Sequence, residues 1–471
     1  MTAEEDLRLY AGARAFDASP LPSAAVFPAN GEEVQKLVLW AKEAGVPLVP
    51  VSSAAPHRSP ASAPSVPGAV IVDLSRMKKI HSINRRFCMA VIEPGVTYGE
   101  LRPALAKEGL TINLPVAPRP GKSVIADLLE VTPRRNCLLN WNYIDPLRCT
   151  EVTWGDGQKM FTGEAGGGAP DLKKQQSQGK WQINGGGPMM LDFCRILAGS
   201  QGTTGIVTWA SVKCEPIETV KKVFVLRSQD YDPVRRAVQN ALKLRFSDGA
   251  FLVNGAALYR MLPDTAQLLA EADGGAAWTA VIEASGREIL PEMRVAQQEE
   301  DLRGIAAAQG LVLTELTGAL GETAGRELDG SGFAEGYAAG AVRLPFVTTL
   351  GKAGEFAEKL QATANQKDCG FGLGLYIQPL HQGVSAQVEV LVPELPEGES
   401  FYRTALAQIA ADGGYYERPY GDAAKIQFGK DPEAARTLEK LYDIFDPARI
   451  LNPGKLTKAA AAAGQGEEVQ P

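Results

Sequence analysis

A chain of 471 residues, 45% hydrophobic and 22% charged, has the composition of a globular protein of two or three domains with a large core. Its formal net charge of −7 and lack of any basic block argue against nucleic acid as a partner. No apolar run approaches the roughly 20 residues that cross a bilayer, and the acidic start Met1-Thr2-Ala3-Glu4-Glu5-Asp6 lacks the layout of a signal peptide, so a cytoplasmic location is expected.

The first folded unit is expected to begin near residue 20. Asn30 and Glu33 suggest a capped helix start, Val34, Leu37, Val38 and Ala41 supply an apolar stripe, and Gly45 ends the helix. Residues 46–51 read as a short strand, followed by the loop Ser52-Ser53-Ala54-Ala55-Pro56-His57-Arg58. Residues 69–74 read as a buried strand and 88–95 as another, and Thr97 with Glu100 forms a capping box that opens a helix running to Gly109. Such alternation of strands and helices points to an α+β or α/β region.

Two glycine triplets, Gly166-Gly167-Gly168 and Gly185-Gly186-Gly187, bracket a polar stretch and suggest a flexible surface insertion, with a lid or docking loop as the alternative. Next comes the most informative stretch, Ile196-Leu197-Ala198-Gly199-Ser200-Gln201-Gly202-Thr203-Thr204-Gly205-Ile206-Val207. Glycines without Cβ atoms let backbone N–H groups approach an anion or a flat ring. Loop chemistry alone fits a tight turn between helix and strand equally well.

Later in the chain, residues 341–346 read as a strand carrying Arg343. Residues 375–383 read as a strand bearing Tyr376 that leaves through a turn at His381, with residues 386–390 as its neighbour. Gly372-Leu373-Gly374 lies in a strand pattern and is no dinucleotide fingerprint. The six cysteines, Cys88, Cys137, Cys149, Cys194, Cys214 and Cys369, are scattered without a C-x-x-C pair, and there are three histidines, His57, His81 and His381. Reduced thiols are expected, with no iron–sulfur cluster and no metal site.

Three motifs in order carry a resemblance. They are Val70-Ile71-Val72-Asp73-Leu74-Ser75-Arg76-Met77 with Val91-Ile92-Glu93-Pro94-Gly95-Val96-Thr97-Tyr98-Gly99-Glu100-Leu101, then Gly199–Thr208, then Phe445-Asp446-Pro447-Ala448-Arg449-Ile450-Leu451-Asn452-Pro453-Gly454-Lys455. Together they resemble the vanillyl-alcohol oxidase and p-cresol methylhydroxylase superfamily, nearest its branch of glycolate oxidase flavoproteins and D-lactate dehydrogenases. The resemblance implies an α+β fold. A two-subdomain, PCMH-type FAD-binding domain would occupy residues 20–218 and a cap with an antiparallel sheet residues 219–420. A C-terminal return to the flavin would occupy residues 421–457, before a tail at 458–471.

The resemblance also implies the cofactor, FAD, and its contacts. Ser52, Ser53, His57 and Arg58 would meet the phosphates or ring, as would Gly199, Ser200, Gly202, Thr203, Gly205 and Ile206, with Asn452 and Lys455 helping to hold the flavin. Some relatives attach the flavin covalently through a histidine close to the position of His57. Non-covalent contact is the expected mode here, and a covalent link through His57 the alternative. Two segments depart from the family pattern: residues 51–58 contain no glycine, and 121–129 lack the family's Gly-Gly turn before Asn140-Trp141-Asn142-Tyr143 and the match resuming at Asp145.

On the cap, Arg343 is expected to bind a substrate carboxylate through its planar fork, and Tyr376 or His381 to take the hydroxyl proton. The expected activity is oxidation of a 2-hydroxy acid such as lactate or glycolate by hydride transfer to flavin N5. Aryl alcohols or alkylphenols are the second chemistry. Electrons would pass to an iron–sulfur or other electron-transfer subunit, with direct reduction of oxygen the alternative route. A flavin-poor scaffold subunit is the contrasting reading, motivated by the two altered loops.

Overall fold

The structure, a computed structural model, describes residues 1–457 apart from 12–15, 17–18, 138–145, 168–171, 188–190, 274 and 331–339. The tail 458–471, Asn140-Trp141-Asn142-Tyr143, Asp145 and Gly168 therefore lie outside the described residues.

Strands β1 (Ala24–Val26), β2 (Leu48–Val51) and β3 (Val70–Asp73) form a parallel sheet in the order β1-β3-β2. The helix Gly31–Ala44 crosses from β1 to β2. Its start uses Asn30, whose Oδ1 accepts from the Glu33 amide at 3.0 Å, while Glu33 reaches back to the Ala29 amide at 2.8 Å. Gly45 ends it at φ +66°, a left-handed backbone that suits glycine. Val34, Val38 and Ala41 bury the helix against Leu48, Val70 and Val72 on one sheet face, and Leu7 and Tyr10 cover Val49, Val51 and Ile71 on the other. Coverage of both faces explains why β3 reads as an unbroken apolar run.

A second, antiparallel sheet contains β4 (Ile80–Asn84), β5 (Met89–Ile92), β7 (Leu147–Trp154), β8 (Lys159–Phe161) and β9 (Gly205–Lys213), in the order β4-β5-β9-β7-β8. A short ribbon pairs β6 (Leu110–Thr111) with β10 (Glu215–Pro216). The helix Tyr98–Lys107 packs Leu101 and Leu105 on this sheet, its first turn closed by Glu100 accepting from the Thr97 amide at 2.9 Å.

The insertion around 162–187 departs from expectation. Its described parts, including the helix Leu172–Ser177, pack Ala165 and Leu172 against Val91, Cys149 and Trp209. Glu164 accepts from the Trp181 and Gln182 amides at 2.9 Å, and Ser211 Oγ donates to the Gln182 carbonyl at 2.7 Å. The polar stretch thus covers an apolar sheet face that would otherwise meet water. Its described parts are packed rather than a free surface loop.

The third sheet has seven strands: β11 (Val220–Ser228), β12 (Gly249–Asn254), β13 (Trp278–Gly286), β14 (Thr314–Glu315), β15 (Ala341–Thr349), β16 (Gly374–Leu380) and β17 (Ser385–Pro393). They pair antiparallel in the order β14-β11-β13-β12-β16-β17-β15. Helices Tyr231–Lys243, Pro291–Ala307, Ala353–Gln366 and Pro396–Ala411 bury one face. The other face turns to the first half of the chain, where Val116 and Ala117 pack with Val225, Phe251 and Tyr376.

After the helix Pro432–Phe445 the chain comes back to the first sheet. Leu451 bridges Leu48 in parallel register, with Leu48 donating to the Ile450 carbonyl at 2.8 Å and Asn452 to the Leu48 carbonyl at 2.7 Å. No helix among the described residues is long and apolar enough to cross a membrane.

Candidate functional site

Between the first-half loops and the inner face of the large sheet lies a cleft made of two adjoining cavities, about 270 and 110 Å3. The C-terminal segment ties its floor together. Asp446, fully buried, accepts from the Ile450 and Leu451 amides at 3.3 and 2.8 Å. Asn452 Nδ2 then donates to the Ala61 carbonyl at 2.8 Å and the Gln201 carbonyl at 2.7 Å, and Lys455 Nζ to the Pro60 carbonyl at 2.7 Å. The sequence motif assigns Asn452 and Lys455 to the flavin; their donors hold the two loops that line the cleft instead, and neither residue lines it.

The glycine loop lines the smaller cavity through Gly199, Ser200, Gly202, Gly205 and Ile206. Gly202 sits at φ +74°, and a Cβ there would lie 2.6 Å from Pro50 Cγ, so both backbone and space require glycine. Thr203 does not reach the cavity: its hydroxyl donates to the Ser200 carbonyl at 2.7 Å, fastening the loop to itself. Gln201 Nε2 donates to the Pro419 carbonyl at 2.6 Å and anchors the segment Arg418-Pro419-Tyr420, while its buried Oε1 has no hydrogen-bond partner among the described residues.

The two departures from the family pattern meet each other. Ala54 donates its amide to the Gly121 carbonyl at 2.9 Å, and a Cβ on Gly121 would lie 3.3 Å from the Ala54 methyl. Arg119 donates to the Ala54 and Ala55 carbonyls at 2.7 and 3.1 Å, and Ser53 Oγ accepts from the Ser123 amide at 3.1 Å. The loop without glycine is therefore braced by the segment that lost its Gly-Gly turn. Ser52, Ser53, His57 and Arg58 all line the larger cavity. His57 Nδ1 is buried without a hydrogen-bond partner among the described residues, and burial pushes the imidazole below its ordinary value and keeps it neutral.

Arg343 also lines the larger cavity, but its fork is already engaged. Its Nε and terminal nitrogen donate to both oxygens of Glu389, at 2.8 and 2.5 Å. Glu389 is fully buried and accepts from Arg418 as well, at 2.5 Å. Two guanidiniums over one carboxylate leave the cluster with a net charge of about +1. Among the described residues, those contributed by the chain beyond residue 219 to both cavities are Arg418 and Tyr420. Burial pushes the Tyr420 phenol up to about 12, so at neutral pH it remains a hydrogen-bond donor.

Tyr98 supplies a second hydroxyl to the wall. It donates to Asp127 at 2.7 Å and accepts from the buried Arg134 at 2.7 Å. Burial raises the Asp127 carboxyl, but Arg134 and then Lys122 pull it down, leaving it below its ordinary value.

Two expectations are corrected by the sheet. Tyr376 stands directly opposite Glu389 in register, yet its ring packs edge-on to Phe251 and its hydroxyl donates to Gln378 at 2.6 Å. It does not line the cleft. His381 is exposed at the turn five residues beyond Tyr376, about 16 Å along a strand, beside the helix Tyr231–Lys243. Arg418 and Tyr420 escape sequence reasoning because they sit between helices, where no periodicity marks them; an arginine and a tyrosine flanking a proline was the available signal.

Comparison with known proteins fits this geometry. Residues 22–125 match the family described as FAD binding domain. A D-2-hydroxyglutarate dehydrogenase from Stutzerimonas stutzeri is 31% identical over 240 residues, which cover 49% of this chain and 47% of that relative. The chain thus spans about half the length of this curated relative. A 4-ethylphenol oxidase from Gulosibacter chungangensis superposes with a TM-score of 0.78 at 18% identity, covering 97% of this chain and 93% of that one. A p-cresol methylhydroxylase with substrate bound superposes with a TM-score of 0.77 at 18% identity, covering 98% and 95%. The chain carries an FAD binding domain and has the fold of p-cresol methylhydroxylase. The cleft suits FAD: two cavities adjoin, the glycine loop exposes backbone, Arg58 adds positive charge while Lys122 is paired with Glu130 at 2.6 Å, and His57 Nδ1 and Gln201 Oε1 are buried without partners among the described residues.

Proposed function

We propose that the protein is an FAD-dependent oxidoreductase that oxidises a C–H bond next to oxygen in a small anionic substrate, a 2-hydroxy acid such as lactate or glycolate. In this reading residues 20–218 and 421–457 hold the cofactor and 219–420 cap it. The observation that carries the reading is the meeting of the Arg343–Glu389–Arg418 cluster and Tyr420 with the FAD-side loops in one cleft. Bound FAD supplies a hydride acceptor.

The chain's own residues do the rest. The net positive cluster attracts the substrate carboxylate, and the protonated Tyr420 donates to a substrate oxygen. Val116 and Pro345 add apolar surface to the wall. Tyr98, its hydroxyl fixed by Asp127 and Arg134, stands in the cavity wall as a hydrogen-bond partner that would orient the substrate hydroxyl. The two altered loops brace each other, which favours a rebuilt cofactor site over a scaffold that has lost it. Electrons then pass to an iron–sulfur or other electron-transfer protein, or to oxygen.

A second reading, oxidation of an alkylphenol or aryl alcohol, is favoured by the two tyrosines and Arg418 around the cavity, a set that can also hold a phenol oxygen. The test is the visible spectrum of the purified protein, followed by anaerobic addition of lactate, glycolate, 4-cresol and vanillyl alcohol. Bleaching by a hydroxy acid supports the first reading, and bleaching by the phenols alone replaces it with the second. A colourless protein that FAD cannot reconstitute overturns both. Acid precipitation adds the mode of attachment: colour in the pellet marks a covalent link, with His57 the first residue to replace.

A further inference from the structure

The first ten residues play no part in the reading above, yet Tyr10 touches His57, a residue that lines the cleft. Residues Glu4–Leu7 form one helical turn and Arg8–Tyr10 a tighter one, packed by Leu7 and Tyr10 on the sheet face opposite the helix Gly31–Ala44. The Tyr10 ring stacks on the His57 imidazole, with centroids 4.5 Å apart and planes 15° from parallel. Its hydroxyl donates to Asp73 Oδ2 at 2.6 Å, and Asp73 Oδ1 accepts from the Ser75 amide at 2.8 Å. Burial and then the Asp73 hydrogen bond push the Tyr10 phenol far up, so it stays a donor.

These contacts form a chain of support. Asp73, 4% exposed at the end of β3, is fixed by backbone; it fixes Tyr10; Tyr10 fixes the plane of His57. His57 in turn lines the larger cavity with a buried Nδ1 that has no partner among the described residues. A neutral imidazole left without a partner costs free energy unless a polar group meets it. Stacking holds the imidazole in one plane, which limits where such a partner can stand.

We propose that Tyr10, anchored by Asp73, is a positioning residue for FAD: it holds the His57 imidazole in the plane in which it meets the bound cofactor. The first ten residues are then part of the cofactor site although no FAD-binding motif includes them. The proposal rests on the FAD reading above and goes beyond it by assigning a device outside the matched segment 22–125.

The experiment is fluorescence titration of FAD into the apoprotein, with thermal unfolding of each apoprotein measured alongside. Tyr10→Ala is expected to weaken FAD binding about five- to tenfold, the worth of an aromatic pair. Tyr10→Phe keeps the stack but loses the Asp73 anchor, and is expected to weaken binding about two- to threefold, the low end of a net hydrogen bond. In a His57→Ala background, Tyr10→Ala is expected to cause no further loss of affinity, because the ring it positions is gone. Equal loss with and without His57, or no loss in either tyrosine variant, overturns the proposal. Should Tyr10→Ala fail to fold, Tyr10→Phe with and without His57→Ala gives the same cycle. A wild-type protein that binds no FAD overturns the cofactor reading itself, an outcome distinct from wild-type affinity in the variants.

Discussion

The C-terminal segment 446–455 and the strand pair β15–β17 both shape the cleft, but through different physics. In the first, Asp446, Asn452 and Lys455 hydrogen-bond to main-chain groups at Ile450, Leu451, Ala61, Gln201 and Pro60. In the second, Glu389 meets Arg343 and Arg418, side chain to side chain across strands and loops far apart in sequence. A motif whose side chains answer backbone groups carries its own partners wherever that loop shape recurs. A cluster of side chains on a sheet depends on register and on what each ring packs against, so Tyr376 and Glu389 face each other while Glu389 alone joins the arginines.

The largest effect should come from the side-chain cluster. Glu389→Ala strands two guanidiniums, one of them on the almost fully buried Arg418, and should cost about 3–5 kcal/mol in urea unfolding. A cost no greater than a surface ion pair would erase the contrast between the two regions. Tyr420→Phe should lower kcat/KM about a hundredfold, as loss of a positioned proton donor does, with bound FAD per chain unchanged. Loss of FAD in that variant would make Tyr420 part of the cofactor cradle rather than of the substrate side.

Asn452→Ala removes the donor shared by two carbonyls and should destabilise by about 2 kcal/mol. Weakened FAD binding should accompany it, since both loops depend on that amide. His57 offers a pH test. Its value in the folded protein lies below the ordinary 6.5, so the stability it contributes is present above about pH 6.5 and is lost as pH falls through the depressed value. Thermal unfolding at pH 7.5 and 5.5 should show part of that acid loss disappearing in His57→Gln. The smallest effects belong to the discarded candidates: Tyr376→Phe and His381→Ala should change kcat/KM less than about twofold, because neither side chain lines the cleft. A larger drop from either would restore the cap strand as a source of chemistry.

Local signals were legible where one residue answers a neighbouring backbone group. Asn30, Gly45 and the Thr97–Glu100 pair start or stop helices as their types predict. Gly199 and Gly202 announced a tight loop, and both take left-handed backbone. Arg343 is legible as a strand residue and lines the cleft, but its role was not, because Glu389 lies 46 residues away and the match depends on how β15 pairs with β17. The insertion at 162–187 looked loose because its glycines and glutamines show no periodicity, and the sheet face it covers is assembled from β5, β7 and β9.

By itself the sequence determined the elements, the order of motifs and the loops of the cofactor side, because those follow from backbone geometry and from contacts a few residues apart. Tertiary structure alone decided which charged and aromatic side chains share the cleft. Tyr10 reaches His57 across 47 positions and Arg418 reaches Glu389 across 29, separations at which no local propensity acts and at which packing and register choose the partner.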